Sequence, residues 1–213
     1  MKNKMFVVVA ILLAAVGFAA VRYLNKPAQL PPPETAAGGA EFVRPHSPIL
    51  GNTMARVTVV EWFDPECEGC RAVHPIFKQI KNEYGDRVRF VLRYMPYHQN
   101  SMYAASALEE AREQGKFEAA LDALFERQPE WGDHHAPKPE LIPEILAGVG
   151  VAKESLEHDA LIKKHGDKIK QDEADGNALG VRGTPTFFVN GQMLQELGEQ
   201  PLREMIEQAV RAQ

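Results

Sequence analysis

Cysteine is scarce in this sequence, which contains only Cys67 and Cys70 among its 213 residues. Small secreted scaffolds depend on several disulfides, and two cysteines this close together cannot provide them. An excess of positive charge is also missing, because 24 lysines and arginines face 29 aspartates and glutamates and leave a net charge of −5. A surface that binds nucleic acid normally needs a basic patch. The composition therefore excludes a disulfide-held scaffold and indicates that nucleic acid is not a partner.

Long apolar runs are absent except at the N-terminus, where residues 5–21 carry no charged side chain. Lys2 and Lys4 precede this run and Arg22 follows it. A basic start and an apolar run of this length are typical of an export signal at the lower limit of a membrane helix. We expect residues 1–24 to be a signal anchor or a cleaved signal peptide, with the rest of the chain facing outward, anchored or secreted.

Residues 25–41 contain three consecutive prolines and a glycine pair, which disfavour both helix and strand. We interpret this stretch as a linker to a folded domain at residues 42–213. A domain of this size can bury a sufficient core without covalent cross-links. The two cysteines are therefore free for chemistry.

The hydrophobic pattern of the domain changes period along the chain. A nearly continuous apolar stretch and then an alternating stretch predict two strands, separated by a helix that begins at Cys67. Helical periodicity follows over about 99–180, with a bend or break expected at Gly166. Asn190-Gly191 is the preferred two-residue hairpin turn and is followed by an amphipathic helix. The predicted elements are strand 55–63, helix 67–85, strand 87–94, strand 186–189, its hairpin partner 192–194 and helix 201–210. This order predicts an α/β sheet with one helical insertion.

The cysteine spacing predicts redox chemistry. At the first turn of a helix, unpaired backbone N–H groups and the helix dipole favour the thiolate of Cys67. A thiolate is the form that attacks disulfides, so Cys67 is the candidate nucleophile and Cys70 the residue that resolves the mixed disulfide.

Metal and haem sites are the alternatives for a cysteine pair. A structural zinc site needs four ligands, and no second cysteine pair exists. Covalent haem attachment requires histidine where Arg71 stands. Binding of Cu(I) by the two thiolates remains open.

Two segments together resemble a known family: residues 61–70 (EWFDPECEGC) and residues 183–191 (GTPTFFVNG). In this pairing the chain resembles the DsbA-like thiol-disulfide oxidoreductases of the thioredoxin superfamily. The resemblance covers about residue 48 to the C-terminus. It implies a thioredoxin fold with a helical insertion, no cofactor beyond the cysteine pair, cysteine-containing exported proteins as substrates, and a membrane redox partner.

The resemblance also implies roles for three further residues. Pro185 would be a cis-proline packed beside the cysteines, and the Thr184 backbone would offer an edge to which an extended substrate peptide adds as a strand. Glu61 would be a buried acid beneath Cys70 that takes its proton during resolution. Strand alternation alone leaves open that Glu61 instead points into solvent.

One departure from the family pattern concerns the charge around the cysteines. Strongly oxidising DsbA proteins carry Pro-His between the two cysteines, whereas this chain has Glu68-Gly69, with Asp64 and Glu66 upstream. Negative charge destabilises a thiolate. We therefore expect a mild oxidase of the cell envelope, with a potential of about −150 to −250 mV. A disulfide reductase or isomerase, or a Cu(I)-binding chaperone that uses the same cysteines, are the alternative functions.

Overall fold

The computed structural model describes residues 41–213. The expected signal segment at 1–24 and the linker up to residue 40 lie outside the described residues. Across residues 41–213, no helix has both the length and the apolar character to cross a membrane.

Strands and helices alternate at the start of the domain and give way to helices in its middle. The strands are β1 (Ile49–Gly51), β2 (Val57–Phe63), β3 (Val88–Tyr94), β4 (Thr186–Val189) and β5 (Gln192–Met193), and the helices are α1 (Glu68–Tyr84), α2 (Ser101–Glu113), α3 (Phe117–Glu126), α4 (Gln128–Trp131), α5 (Ile142–Ala147), α6 (His158–Ala178) and α7 (Glu199–Arg211). Short 3-10 turns occur at Pro139–Leu141 and Lys153–Ser155.

The sheet has the strand order β1-β3-β2-β4-β5, with β2 at its centre. Strand β2 pairs in parallel with β3 and antiparallel with β4. All residues of β2 and β3 are buried, as expected for strands whose two faces are both covered by other elements. The α/β sheet predicted from the apolar runs is therefore confirmed.

Helices α2 to α6 form one block between β3 and β4, where the helical insertion was predicted. The helix does not break at Gly166, because α6 runs without interruption from His158 to Ala178, and a bend there stays a prediction. Gly166 is buried in this helix. A single glycine inside a helix costs only about 1 kcal/mol, which the packing of the buried face offsets. The short strand β1 was not predicted, since three residues are too few to show a period.

A buried ionic cluster joins α6 to the sheet. Arg93 on β3 is fully buried and donates to Asp172 at 2.8 Å and to Asp175 at 2.6 Å. Arg44 donates to the same Asp175 at 2.8 Å. The segment before β1 and the last helix of the insertion are thus held to β3 by paired charges rather than by apolar contact alone.

Candidate active site

The chain leaves the central strand β2 and turns directly into α1, and the two cysteines lie at this turn. Cys67 is the N-cap residue of α1, with an extended backbone at φ −74° and ψ 122°. Its N–H donates to the Asp64 carbonyl oxygen at 3.1 Å, which closes the turn. The Cys67 sulfur is partly exposed, whereas Cys70, one turn into the helix, is buried. A substrate can therefore reach only the first sulfur directly.

The surroundings of Cys67 stabilise its thiolate. The Cys70 thiol, as a hydrogen-bond donor, has the largest effect and lowers the pKa of Cys67 to about 5, against the opposing effect of partial burial. Thr184 and the backbone N–H groups of Cys70 and Gly69 lower it further. The Cys67 Sγ lies 3.3 Å from the Thr184 carbonyl oxygen. Cys67 is thus mostly a thiolate at neutral pH.

The second cysteine is in the opposite state. Burial raises the pKa of Cys70 well above its ordinary value, and the hydrogen bond to Cys67 and the negative charge of Glu61 act in the same direction. The Asp64 N–H, 3.5 Å from the Cys70 sulfur, has only a smaller opposing effect. The pair therefore holds one thiolate and one thiol at neutral pH.

Glu61 lies in the middle of β2 and is only 5% exposed. Burial, followed by the charge of Cys67, raises the pKa of Glu61 to about 8. The alternative that Glu61 points into solvent is wrong, because every residue of β2 is buried and the strand therefore has no side that faces solvent. At neutral pH this carboxyl group carries a proton.

The loop before β4 completes the site. The Thr184–Pro185 peptide bond is cis, and Pro185 is buried. A Cβ atom on Gly69 would lie 3.5 Å from the Cys67 sulfur, from the Pro185 ring and from the Thr184 carbonyl oxygen. The turn between the cysteines and the proline loop are therefore in van der Waals contact, although more than a hundred residues separate them in the sequence.

The three acids around the cysteines are arranged differently from our expectation. Asp64 and Glu66 are buried, and their carboxylates turn toward the start of α2 rather than toward Cys67. Asp64 accepts from the Ser101 hydroxyl at 2.5 Å, and Glu66 accepts from the Asn100 N–H at 2.7 Å. Glu68 is exposed, so solvent screens its charge. Hydrogen bonds at the helix start, and not these acids, dominate the pKa of Cys67.

Sequence reasoning missed Gln128, which comes from the helical insertion. Its side chain is 1% exposed and its amide nitrogen donates to the Pro65 carbonyl at 2.9 Å and to the Cys67 carbonyl at 3.0 Å. No local sequence signal marks this glutamine, because its partners are backbone atoms far away along the chain.

Two other histidine-containing clusters lie away from the sulfurs. His74 bonds Asp122 at 2.7 Å and packs on the Phe125 ring, so it joins α1 to α3 as a packing residue. Within residues 41–213, one group of three potential metal ligands converges, and it consists of Glu110, Glu113 and His165 rather than the cysteines. The Lys164 ammonium already bonds both of these carboxylates.

Known proteins that resemble this chain in sequence or structure include a family model and several solved structures. The thioredoxin family model matches residues 44–208. A thioredoxin-like oxidoreductase from Silicibacter pomeroyi DSS-3 shares 30% sequence identity, with a TM-score of 0.70 over 84% of this chain and 100% of that one. The α-DsbA1 of Wolbachia pipientis shares the fold at 21% identity, with a TM-score of 0.67 over 80% of this chain and 94% of that one.

The curated relatives are longer proteins. The Na(+)/H(+) antiporter NhaA of Herminiimonas arsenicoxydans is 34% identical over 150 residues, which are 68% of this chain and 22% of the antiporter. The chain thus spans less than a third of the length of the curated relatives that it matches. The chain belongs to the thioredoxin family.

Proposed function

We propose that this protein oxidises pairs of cysteine thiols in exported proteins, as a mild oxidase on the periplasmic side of a bacterial inner membrane. The observation that carries the proposal is the unequal pair: a partly exposed Cys67 with a pKa of about 5 beside a buried Cys70 that stays protonated. A thiolate that is stable in the reduced protein makes the disulfide a good oxidant.

The proposed reaction starts with the Cys67–Cys70 disulfide. A substrate thiolate attacks the Cys67 sulfur, the bond between the two cysteines breaks, and Cys70 leaves and takes up a proton. Glu61 is protonated at neutral pH and buried beneath the pair, so it is our candidate for the donor of that proton. In the reverse direction the same carboxylate would accept it.

The second step releases the product. Another thiolate of the substrate attacks the substrate sulfur of the mixed disulfide, and Cys67 leaves as a thiolate. A thiol of low pKa is a fast leaving group, so this step favours transfer of the disulfide to the substrate. The two substrate thiols release two protons as they become thiolates, and Cys70 takes up one. The sum is one disulfide formed in the substrate, one reduced cysteine pair in the enzyme, and one proton released to solvent. We propose that a membrane redox partner reoxidises the pair.

Substrate binding is proposed at the proline loop. Thr184 is partly exposed and its backbone lies against Cys67. An extended peptide that pairs with this backbone would bring its cysteine next to the accessible sulfur. Buried Pro185 would keep the opposite side of the loop closed.

The pKa of Cys67 also supports an intermediate potential. The corresponding cysteine has a pKa of about 7 in thioredoxin and about 3.5 in DsbA, whose potentials are about −270 and −120 mV. A value of about 5 lies between these two. We therefore retain the expected range of about −150 to −250 mV.

Equilibration with glutathione, combined with trapping of the thiol state in cells, tests the proposal. We expect a potential within that range and a pair that is found oxidised. A pair found reduced in cells, with a potential at or below the lower end of this range, would indicate a reductase or isomerase instead. Stoichiometric uptake of Cu(I) without thiol oxidase activity would indicate the chaperone.

A further inference from the structure

The helical insertion contributes a side chain to the catalytic turn. Gln128 begins the short helix α4, and both of its hydrogen bonds to the turn end on peptide oxygens, those of Pro65 and Cys67. With only 1% of the residue exposed, these bonds are shielded from water. A buried carbonyl that loses its donor costs about 1 to 3 kcal/mol, so the contact constrains the turn.

The support behind Gln128 is itself fixed. Trp131, at the other end of α4, is fully buried and donates from its indole nitrogen to the Leu124 carbonyl at 2.9 Å. At Gly132 a Cβ atom would lie 3.3 Å from the Gln128 side chain and 3.4 Å from that of Glu66. Because glycine has no side chain there, the end of α4 packs closely against the catalytic turn.

One of the two carbonyls that Gln128 binds belongs to Cys67, and the backbone conformation of Cys67 determines where its sulfur lies. As the N-cap, Cys67 has an extended backbone, which places its sulfur at the start of α1, near the positive end of the helix, although the side chain makes no capping hydrogen bond. Within the helix its carbonyl accepts only one regular bond, from the Arg71 N–H at 3.1 Å. The Gln128 amide provides the second bond from outside the helix.

We propose that Gln128 is a positioning residue for the thiol chemistry: by binding the Pro65 and Cys67 carbonyls it fixes the backbone of the turn and so holds the Cys67 sulfur in place at the start of α1, beside the Thr184 carbonyl oxygen. This inference rests on the proposed function, since it concerns the same cysteine pair. Gln128 touches no reacting atom and acts only through the backbone of the turn.

The test is the thiolate titration of Cys67 in Gln128→Met, which keeps the length of the side chain and removes both donors. We expect the titration midpoint to rise by roughly one pH unit, a tenfold loss of thiolate stabilisation, because the sulfur is no longer held at the positive end of α1 beside the Cys70 thiol. The equilibrium with glutathione should shift by a comparable factor toward the disulfide form. Gln128→Asn, whose amide reaches one carbonyl at most, should give a smaller shift in the same direction and replaces Gln128→Met if that variant does not fold.

Tyr103→Phe is the matched control. Tyr103 is 4% exposed and donates to the Leu156 carbonyl at 2.9 Å, so this variant also removes a buried bond to a peptide oxygen of the insertion. It should lose stability but leave both the thiolate titration and the glutathione equilibrium as in the wild type.

Two results would overturn the inference, and they are distinguishable. If both Gln128 variants lose stability but titrate like the wild type, Gln128 is only structural and the proposed function stands. If the wild-type protein shows no thiolate below pH 7 and no equilibrium with glutathione, the proposed function fails first and the inference fails with it.

Discussion

Cys67 and Cys70 are chemically the same side chain, and their surroundings separate them by several pKa units. The hydrogen bond from the Cys70 thiol and the N–H groups at the helix start lower the pKa of Cys67, whereas burial and the charge of Glu61 raise the pKa of Cys70. Removal of one member therefore changes the other. A variant that lacks the Cys70 thiol should raise the pKa of Cys67, because that hydrogen bond is its largest stabilising contact.

The pKa of Cys67 predicts how the potential depends on pH. Above about pH 5 the reduced pair takes up one proton for two electrons, because Cys67 stays a thiolate and Cys70 becomes a thiol. The potential should therefore fall by about 30 mV per pH unit from pH 6 to 8, and by about 59 mV per unit below pH 5. Glutathione equilibration across this range measures the slope. A slope of about 59 mV per unit at pH 7 would contradict the thiolate assignment.

Glu61 predicts a second dependence on pH, this time of stability. Its pKa is about 8 in the folded protein, against 4.5 for the ordinary side chain. Between these values the unfolded chain releases the proton and the folded chain keeps it, so the free energy of unfolding falls as pH rises. Glu61→Gln removes this loss. With the cysteine pair reduced in both proteins, the wild type and the variant should differ little near pH 4 in the contribution of residue 61 to the free energy of unfolding. At pH 8 the variant should be more stable by on the order of 3 to 5 kcal/mol.

Urea unfolding at the two pH values measures the difference, and a constant difference would contradict a raised pKa. The same variant tests the proposed proton transfer. Unchanged rates of mixed-disulfide resolution from pH 6 to 8 would exclude Glu61 from that step.

At the scale of elements, α6 packs tightly against the central strand at Gly176. A Cβ atom on Gly176 would lie 2.6 Å from the indole nitrogen of Trp62 and 3.1 Å from the sulfur of Met95. Trp62 is fully buried and donates to the Asp172 carbonyl on the same helix, so it cannot move aside. Gly176→Ala should therefore lower the free energy of unfolding by about 1 to 3 kcal/mol through overpacking.

Gly166 provides the control within the same helix. A Cβ atom there meets only the Ile162 methyl group at 3.6 Å, an ordinary contact. Gly166→Ala should raise the free energy of unfolding by about 0.5 to 1 kcal/mol, because alanine is the better helix former. Thermal unfolding of both variants checks the contrast. Equal effects would mean that helix propensity, and not the contact with Trp62, decides at Gly176.

At the scale of the whole molecule, the buried cluster around Arg93 holds the insertion against the sheet. Asp172 accepts from Arg93 at 2.8 Å and from the Tyr94 N–H at 3.0 Å, and it bonds His46 at 2.8 Å. Asp172→Asn removes one of the two carboxylates that pair with the buried Arg93 guanidinium and leaves Asp175 as the other. Loss of one member of a buried ion pair costs about 3 to 5 kcal/mol, so we expect a decrease of this size in the free energy of unfolding.

An exposed ion pair is the matched comparison. Glu144 and Lys153 are bonded at 2.7 Å, but their side chains are 69% and 58% exposed. Glu144→Gln should change the free energy of unfolding by less than about 1 kcal/mol, since water screens such pairs. If Asp172→Asn is equally mild in urea unfolding, the cluster does not hold the insertion in place.

Local patterns in the sequence were sufficient for the elements nearest the site. The apolar runs predicted β2 and β3, the spacing of Cys67 and Cys70 predicted a thiolate at a helix start, and Asn190-Gly191 predicted the hairpin, whose two residues have φ values of 47° and 80°. These features depend on neighbours within one turn or one strand. Residues this close in the sequence stay close in space whatever the tertiary fold, so their pattern can be read from the sequence.

The tertiary structure alone decided the properties that depend on burial and on contacts between residues far apart in the sequence. Whether Glu61 faced solvent depended on what covered β2, and the acids Asp64 and Glu66 proved to bind the start of α2 instead of acting on Cys67. The contact of Gln128 with the Cys67 carbonyl joins residues that are 61 positions apart. The sequence by itself determined which chemistry we propose, because that chemistry resides in two cysteines at one helix turn. The pKa values of these cysteines depend on the folded surroundings and could not be read from sequence spacing.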